Sequence, residues 1–148
     1  MTKSEADFLN DLIAICEDAR KFYVGAAAQT EHTCIKETLE EMASVRKSIV
    51  ENLKFRIIAI GGVVGQNRSF AGMQPQMFGS LKTKLTNRDK MLVAELEEAE
   101  DKTLEEFYHI LGNKQPAATM ALLQKHTKML REAHIYMQTL KVQLEIVA

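Results

Sequence analysis

Four histidines and twenty acidic residues raise metal chemistry first, because imidazole nitrogens and carboxylate oxygens are the ligands of iron, zinc and manganese. A di-iron centre inside a helix bundle takes one Glu from each of two helices and a Glu-x-x-His pair from each of the other two. The i, i+3 spacing sets both ligands of a pair on one helix face. Glu106 and His109 form the only Glu-x-x-His in the chain. They fall off the apolar stripe through Leu96, Thr103 and Phe107, so the pair reads as surface. His134 lies on an apolar stripe, but three residues before it stands Arg131, a cation where a carboxylate is required. Arg46 takes the inward central position of the second helical segment, with Ala43 three residues before it. Neither place supplies its ligand pair.

The same residues suit a structural cluster. Asp18, Arg46, Glu97 or Glu100, and His134 are expected to face one another near mid-bundle, with the Arg46 cation where a metal's charge would otherwise stand. A guanidinium offers five donors in a planar fork and holds two carboxylates at once, whereas a buried carboxylate without a cation is costly. Measured from the turn, Asp18 and Arg46 differ by about four residues, or ~6 Å of axial rise, within reach of long side chains. Glu97 matches His134 in register better than Glu100 does. The bland reading is that some of these groups lie at stripe edges in water. No cofactor is expected; iron or another divalent metal held by Asp18, Glu97, Glu100 and His134 is the alternative. The acidic run Glu95, Glu97, Glu98, Glu100, Asp101 reads as a solvated helix face. His32 falls in a loop and His126 at a stripe edge. No phosphate-binding glycine loop, nucleophile elbow or cysteine pair at metal spacing is present, so no catalytic residue is assigned.

Four helical segments must position these groups. Phe8, Leu12, Ile15, Ala19, Phe22 and Ala26 recur at steps of three and four, which predicts a helix from about Ser4 to Ala28, with Ser4 and Asp7 as its capping box. Ile35, Leu39, Met42, Ile49, Leu53, Ile57 and Ile60 predict a second helix that stops at Gly61 and Gly62,. A third begins after Thr86 and Asn87 and ends at Gly112 and Asn113; a fourth begins at Pro116 and runs nearly to the C-terminus,. Short links force the first two and the last two helices into antiparallel hairpins. Residues 61 to 86 are too many for a tight turn. Phe70, Met73, Met77, Leu81 and Leu85 keep helical spacing there despite Pro75, so a short helix is expected across the bundle,. The fold class is therefore all-α: a four-helix bundle with one long crossover, the topology of ferritin-like folds.

At 148 residues, 46% hydrophobic and 26% charged, the chain fits one globular domain spanning residues 1–148,. A formal charge of -1 gives no field to draw in nucleic acid or an anionic membrane,. Cys16 and Cys34 read as reduced, packed thiols. The N-terminal residues lack the apolar run of a secretory signal, and no apolar stretch approaches the ~20 residues needed to cross a bilayer, so a cytoplasmic location is expected.

Several short strings occur in a telling order: Asn10-Asp11-Leu12-Ile13 with Asp18, Arg46, Gly61-Gly62, Ser69-Phe70-Ala71-Gly72, Leu81-Lys82, Glu95-Leu96-Glu97, Glu100-Asp101, Tyr108 and His134. Together, from about Phe8 to Leu144, they resemble an uncharacterised bacterial family catalogued as a domain of unknown function. The resemblance implies a ferritin-like bundle related in fold to rubrerythrins and bacterioferritins, and no established activity. The sequence departs from that pattern at Ala99, where a glycine is usual, and at Pro75.

The expected role is a non-catalytic bundle that associates with itself, most simply as a homodimer, or with a protein partner. Apolar surface for that contact is expected on the crossover, at Phe70, Met73, Met77 and Phe78, and on the tail, at Val142, Leu144, Ile146 and Val147,. The alternative role is an iron-handling protein or oxidase with an atypical carboxylate and histidine site.

Overall fold

The first helix is fixed at its start by a reciprocal pair of hydrogen bonds. In the computed structural model, which describes residues 4–31, 33–65 and 88–147, the Asp7 amide donates to Ser4 Oγ at 3.1 Å. The Ser4 amide donates back to Asp7 Oδ2 at 3.2 Å. This capping box satisfies two amides that have no intrahelical partner, and it opens α1, Glu5–Gln29.

Helix α2 spans Thr33–Ala59, α3 spans Arg88–Leu111 and α4 spans Ala117–Val147. The end of α2 is a Schellman motif: the Gly62 amide donates to the Ile57 carbonyl at 2.8 Å, and the Gly61 amide to that of Ile58 at 3.0 Å,. Gly61 has φ +77, the left-handed conformation this motif needs,. At the end of α3, Asn113 Nδ2 donates to the His109 carbonyl at 2.9 Å. At the start of α4, the Pro116 carbonyl accepts from the Met120 amide at 2.9 Å. All four helices thus lie where the apolar spacing puts them, within a residue or two at the ends that can be compared. The segment expected to form a short crossover helix, with Phe70, Met73, Met77, Leu81 and Leu85, lies outside the described residues, as do the association candidate Phe78 and His32.

The most extensive packing is within the pairs α1–α2 and α3–α4; α1 also touches α3, and α2 touches α4. Arg56 in the last turn of α2 approaches Glu5 in the first turn of α1, and Thr119 in the first turn of α4 hydrogen-bonds the same Glu5. The end of α3 lies at that end too, where Glu106, His109 and Asn113 line an opening with Glu5 and Phe8. So α2 and α3 both run opposite to α1, and α4 runs with it. Among the described residues the structure is all-helical, with four helices and no strand. None of those helices is long and apolar enough to cross a membrane.

Leu9, Leu12, Ile15, Ala19 and Tyr23 of α1 meet Ile35, Leu39, Met42, Ile49, Leu53 and Ile57 of α2 in the core, joined by Phe107 and Ile110 of α3 and by Leu123, Leu130 and Met137 of α4. Asn10 ties the residues after α2 to α1. Its Nδ2 donates to the Val63 carbonyl at 2.9 Å, and its Oδ1 accepts from the Gly65 amide at 3.4 Å. The Asn10-Asp11 string thereby acquires a physical role in closing one end of the first hairpin.

Candidate functional site

Arg46 is among the largest fully buried side chains of the protein, 1% exposed, and Glu100 beside it is 0% exposed. Arg46 Nη2 donates to Glu100 Oε2, and Tyr23 Oη donates to Glu100 Oε1. The guanidinium carbon also lies 5.9 Å from the centre of the Tyr23 ring, near enough for a cation–π attraction. One carboxylate is therefore shared by a cation from α2 and a phenol from α1. Arg46 Nε and Nη1 have no hydrogen-bond partner among the described residues.

The electrostatics follow from burial. Desolvation works against the Arg46 charge, but the Glu100 carboxylate, with Tyr23 and Cys16 nearby, holds its pKa above the ordinary guanidinium value,. Burial first, then the Glu100 charge, lifts the Tyr23 phenol well above its ordinary value, with Arg46 opposing. Burial likewise pushes the Cys16 thiol up to about 12, Arg46 opposing and Glu100 adding. All three groups are thereby held in one protonation state at neutral pH. These three groups therefore hold a fixed charge pattern around the Glu100 carboxylate,.

Asp18 is half-buried, and no hydrogen bond or ion pair joins it to Arg46 among the described residues. Burial raises its pKa, with Lys21 opposing and Glu17 adding. Helical phase is the reason. Tyr23 follows Cys16 by seven residues, about two turns, and shares its inward face; Asp18, two residues past Cys16, is turned about 200° round the helix. The carboxylate partner expected from α1 is replaced by a phenol.

Glu97 and His134 gather one turn away from the Arg46–Glu100 pair, and the residue that joins them is Asp101. His134 Nε2 lies 3.3 Å from Asp101 Oδ1, and one donor atom from each of Glu97, Asp101 and His134 lies within 4.8 Å of the other two. Asp101, read from the sequence as part of a solvated face, is 56% exposed at its side chain. The five residues expected in one cluster thus fall into a buried pair, a half-buried pair and the separate Asp18.

A di-iron centre at mid-bundle does not fit these donors. Glu100 is engaged by Arg46 and Tyr23, a guanidinium occupies the space between the helices, and Asp18 points elsewhere. Of the Glu106–His109 pair read as surface, His109 is exposed and Glu106 half-buried, both at the bundle end.

Two further polar contacts escape sequence reading. His126 is fully buried rather than at a stripe edge, with Asn52 Nδ2 3.3 Å from its Nε2. Burial, with Lys125 adding, lowers its pKa from 6.5 to about 4, so the ring is neutral. At the bundle end, Arg56 Nε donates to Thr119 Oγ1 at 2.8 Å, and Thr119 donates on to Glu5. The only advance signal was Glu5 in a first turn and Arg56 in a last one, a pairing that antiparallel packing brings together. Of the expected association residues, Val142 is 52% exposed; Leu144, Ile146 and Val147 belong to α4, and their side chains lie outside the description.

Fold and site define an all-helical protein whose interior is centred on a buried arginine–glutamate pair. The chain belongs to a family described as Domain of unknown function (DUF2383), which matches residues 4–113, from the cap of α1 to the end of α3. No curated protein matches the chain.

Proposed function

We propose that this protein is a ferritin-like bundle that works by association, as a homodimer or with a protein partner, and carries out no catalysis at its centre. Of the expected polar cluster, the buried Arg46–Glu100 pair stands in place of a metal centre at mid-bundle, with Glu97 and His134 one turn away and Asp18 apart from both. The observation that carries this reading is the Arg46–Glu100 pair, both side chains excluded from solvent. A fixed cation there takes up the carboxylate and the space that a metal site would use. The ferritin-like assignment is supported by helix direction, since α2 and α3 run the same way,. Two free cysteines support a reducing, cytoplasmic setting,, and the family resemblance supports a bacterial one.

Exposed apolar side chains support association. Ile135, Tyr136 and Val142 on α4, and Phe55 and Ile58 on α2, are each more than half exposed, and apolar surface of this kind marks contacts. Light scattering of the full chain tests the proposal, with a concentration-dependent dimer expected. A monomer at the highest soluble concentration, with no partner recovered on affinity capture, sinks the association reading. The alternative is an iron-handling oxidase that uses Asp18, Glu97, Glu100 and His134. Two equivalents of iron bound per chain in protein from iron-supplemented cells would establish it and overturn the proposal.

A further inference from the structure

Glu97 and Asp101 are four residues apart on α3, so their carboxylates share one face, and His134 comes to that face from α4. His134 Nε2 stands 3.3 Å from Asp101 Oδ1, and the three donor atoms lie within 4.8 Å of one another. Ligand atoms that share one ion at ~2.1 Å bonds stand roughly 3 to 3.5 Å apart. Modest side-chain rotation therefore closes this set around an ion without moving either helix.

The chemistry of the donors narrows the ion. An all-oxygen set suits magnesium or calcium, whereas one imidazole with two carboxylates suits a first-row divalent transition metal. Two carboxylate charges balance the ion's own. Asp101 is 56% exposed and the His134 side chain 15%, which gives an entry path and room for water to complete the coordination. The place is separate from the bundle centre, because Glu100, next to Asp101 in sequence, turns inward to Arg46 and Tyr23.

We infer that Glu97, Asp101 and His134 bind one divalent ion of the zinc, cobalt or iron(II) class on the α3–α4 flank of the bundle. The competing account is that Asp101 and His134 only hydrogen-bond to each other. Metal-stripped full-length protein titrated with Zn²⁺ in a calorimeter, and with Co²⁺ followed by its visible spectrum, separates the two. One equivalent is expected, with His134→Ala and Asp101→Asn each weakening it by about tenfold or more. Glu51→Gln, an exposed change on α2, should leave binding as it was. Asp101 is exposed enough that its variant retains the fold, which circular dichroism verifies. Absence of Zn²⁺ binding below millimolar concentration overturns the inference, as does binding that survives both variants unchanged. Either result is independent of the oligomeric state.

Discussion

Arg46 shows what a buried ion pair does and does not contribute. Removing two charges from water costs several kcal/mol per ion, and two of the Arg46 nitrogens find no acceptor among the described residues, so the pair is a poor source of net stability. Its effect is on register, because only one alignment of α1, α2 and α3 lets Tyr23 and Arg46 reach the same carboxylate. Breaking it is another matter. Arg46→Met should destabilise the protein by about 3 to 5 kcal/mol, since it leaves the Glu100 charge buried and alone. Adding Glu100→Leu should recover most of that loss. Urea unfolding of the single and double variants measures both, and a double variant no more stable than Arg46→Met would show that the pair is not the linked unit described. Tyr23→Phe should cost about 1 to 3 kcal/mol for the same reason, an acceptor left unsatisfied. Arg46 was legible in the sequence because it interrupts an otherwise apolar stripe. Tyr23 was not, because a tyrosine near a stripe reads as packing until the partner of its hydroxyl is known. Asp101 was hidden inside a run of acids, where exposure is the ordinary expectation.

At the scale of elements, the helices could be read from periodicity and their ends from capping chemistry. Ser4 with Asp7, Gly61 with Gly62, and Gly112 with Asn113 are local signals, satisfied by atoms within a few residues. What periodicity could not give was the rotation of each helix about its axis, which moved Asp18 off the cluster and His126 into the core. The two glycines after α2 also differ in a way that sequence does not disclose. Gly61 is needed for its backbone conformation. Gly62 is needed for space, because a Cβ there would meet Ala6 Cβ at 2.8 Å and Ile57 Cγ2 at 3.0 Å. Gly61→Ala should therefore cost about 1 kcal/mol, the strain of a left-handed alanine. Gly62→Ala should cost about 1 to 3 kcal/mol by forcing α1 and the end of α2 apart. It should also speed amide exchange at Gly65, which the Asn10 clamp protects. Equal and small losses from both substitutions would argue that the α1 contact yields freely.

For the whole molecule, the two hairpins meet through polar contacts at several levels along the bundle. Glu5 and Arg56 reach Thr119 at one end, Asn52 meets His126, and Arg46 with Tyr23 meets Glu100 toward the other. The His126 level is the one that acid can open. Burial sets its pKa near 4 in the folded protein against 6.5 ordinarily, so between those values the unfolded chain binds more protons than the folded one. Stability from this residue is complete above about pH 6.5 and drains away as pH falls toward 4, by on the order of 3 kcal/mol in all. His126→Gln keeps a polar group beside Asn52 and cannot titrate. Thermal unfolding followed from pH 7 to pH 5, above the range where most carboxylates take up protons, should show a decline in the parent protein that is largely absent from the variant. Parallel curves for the two proteins would mean that His126 is charged without cost where it lies, and that the hairpins part under acid for some other reason.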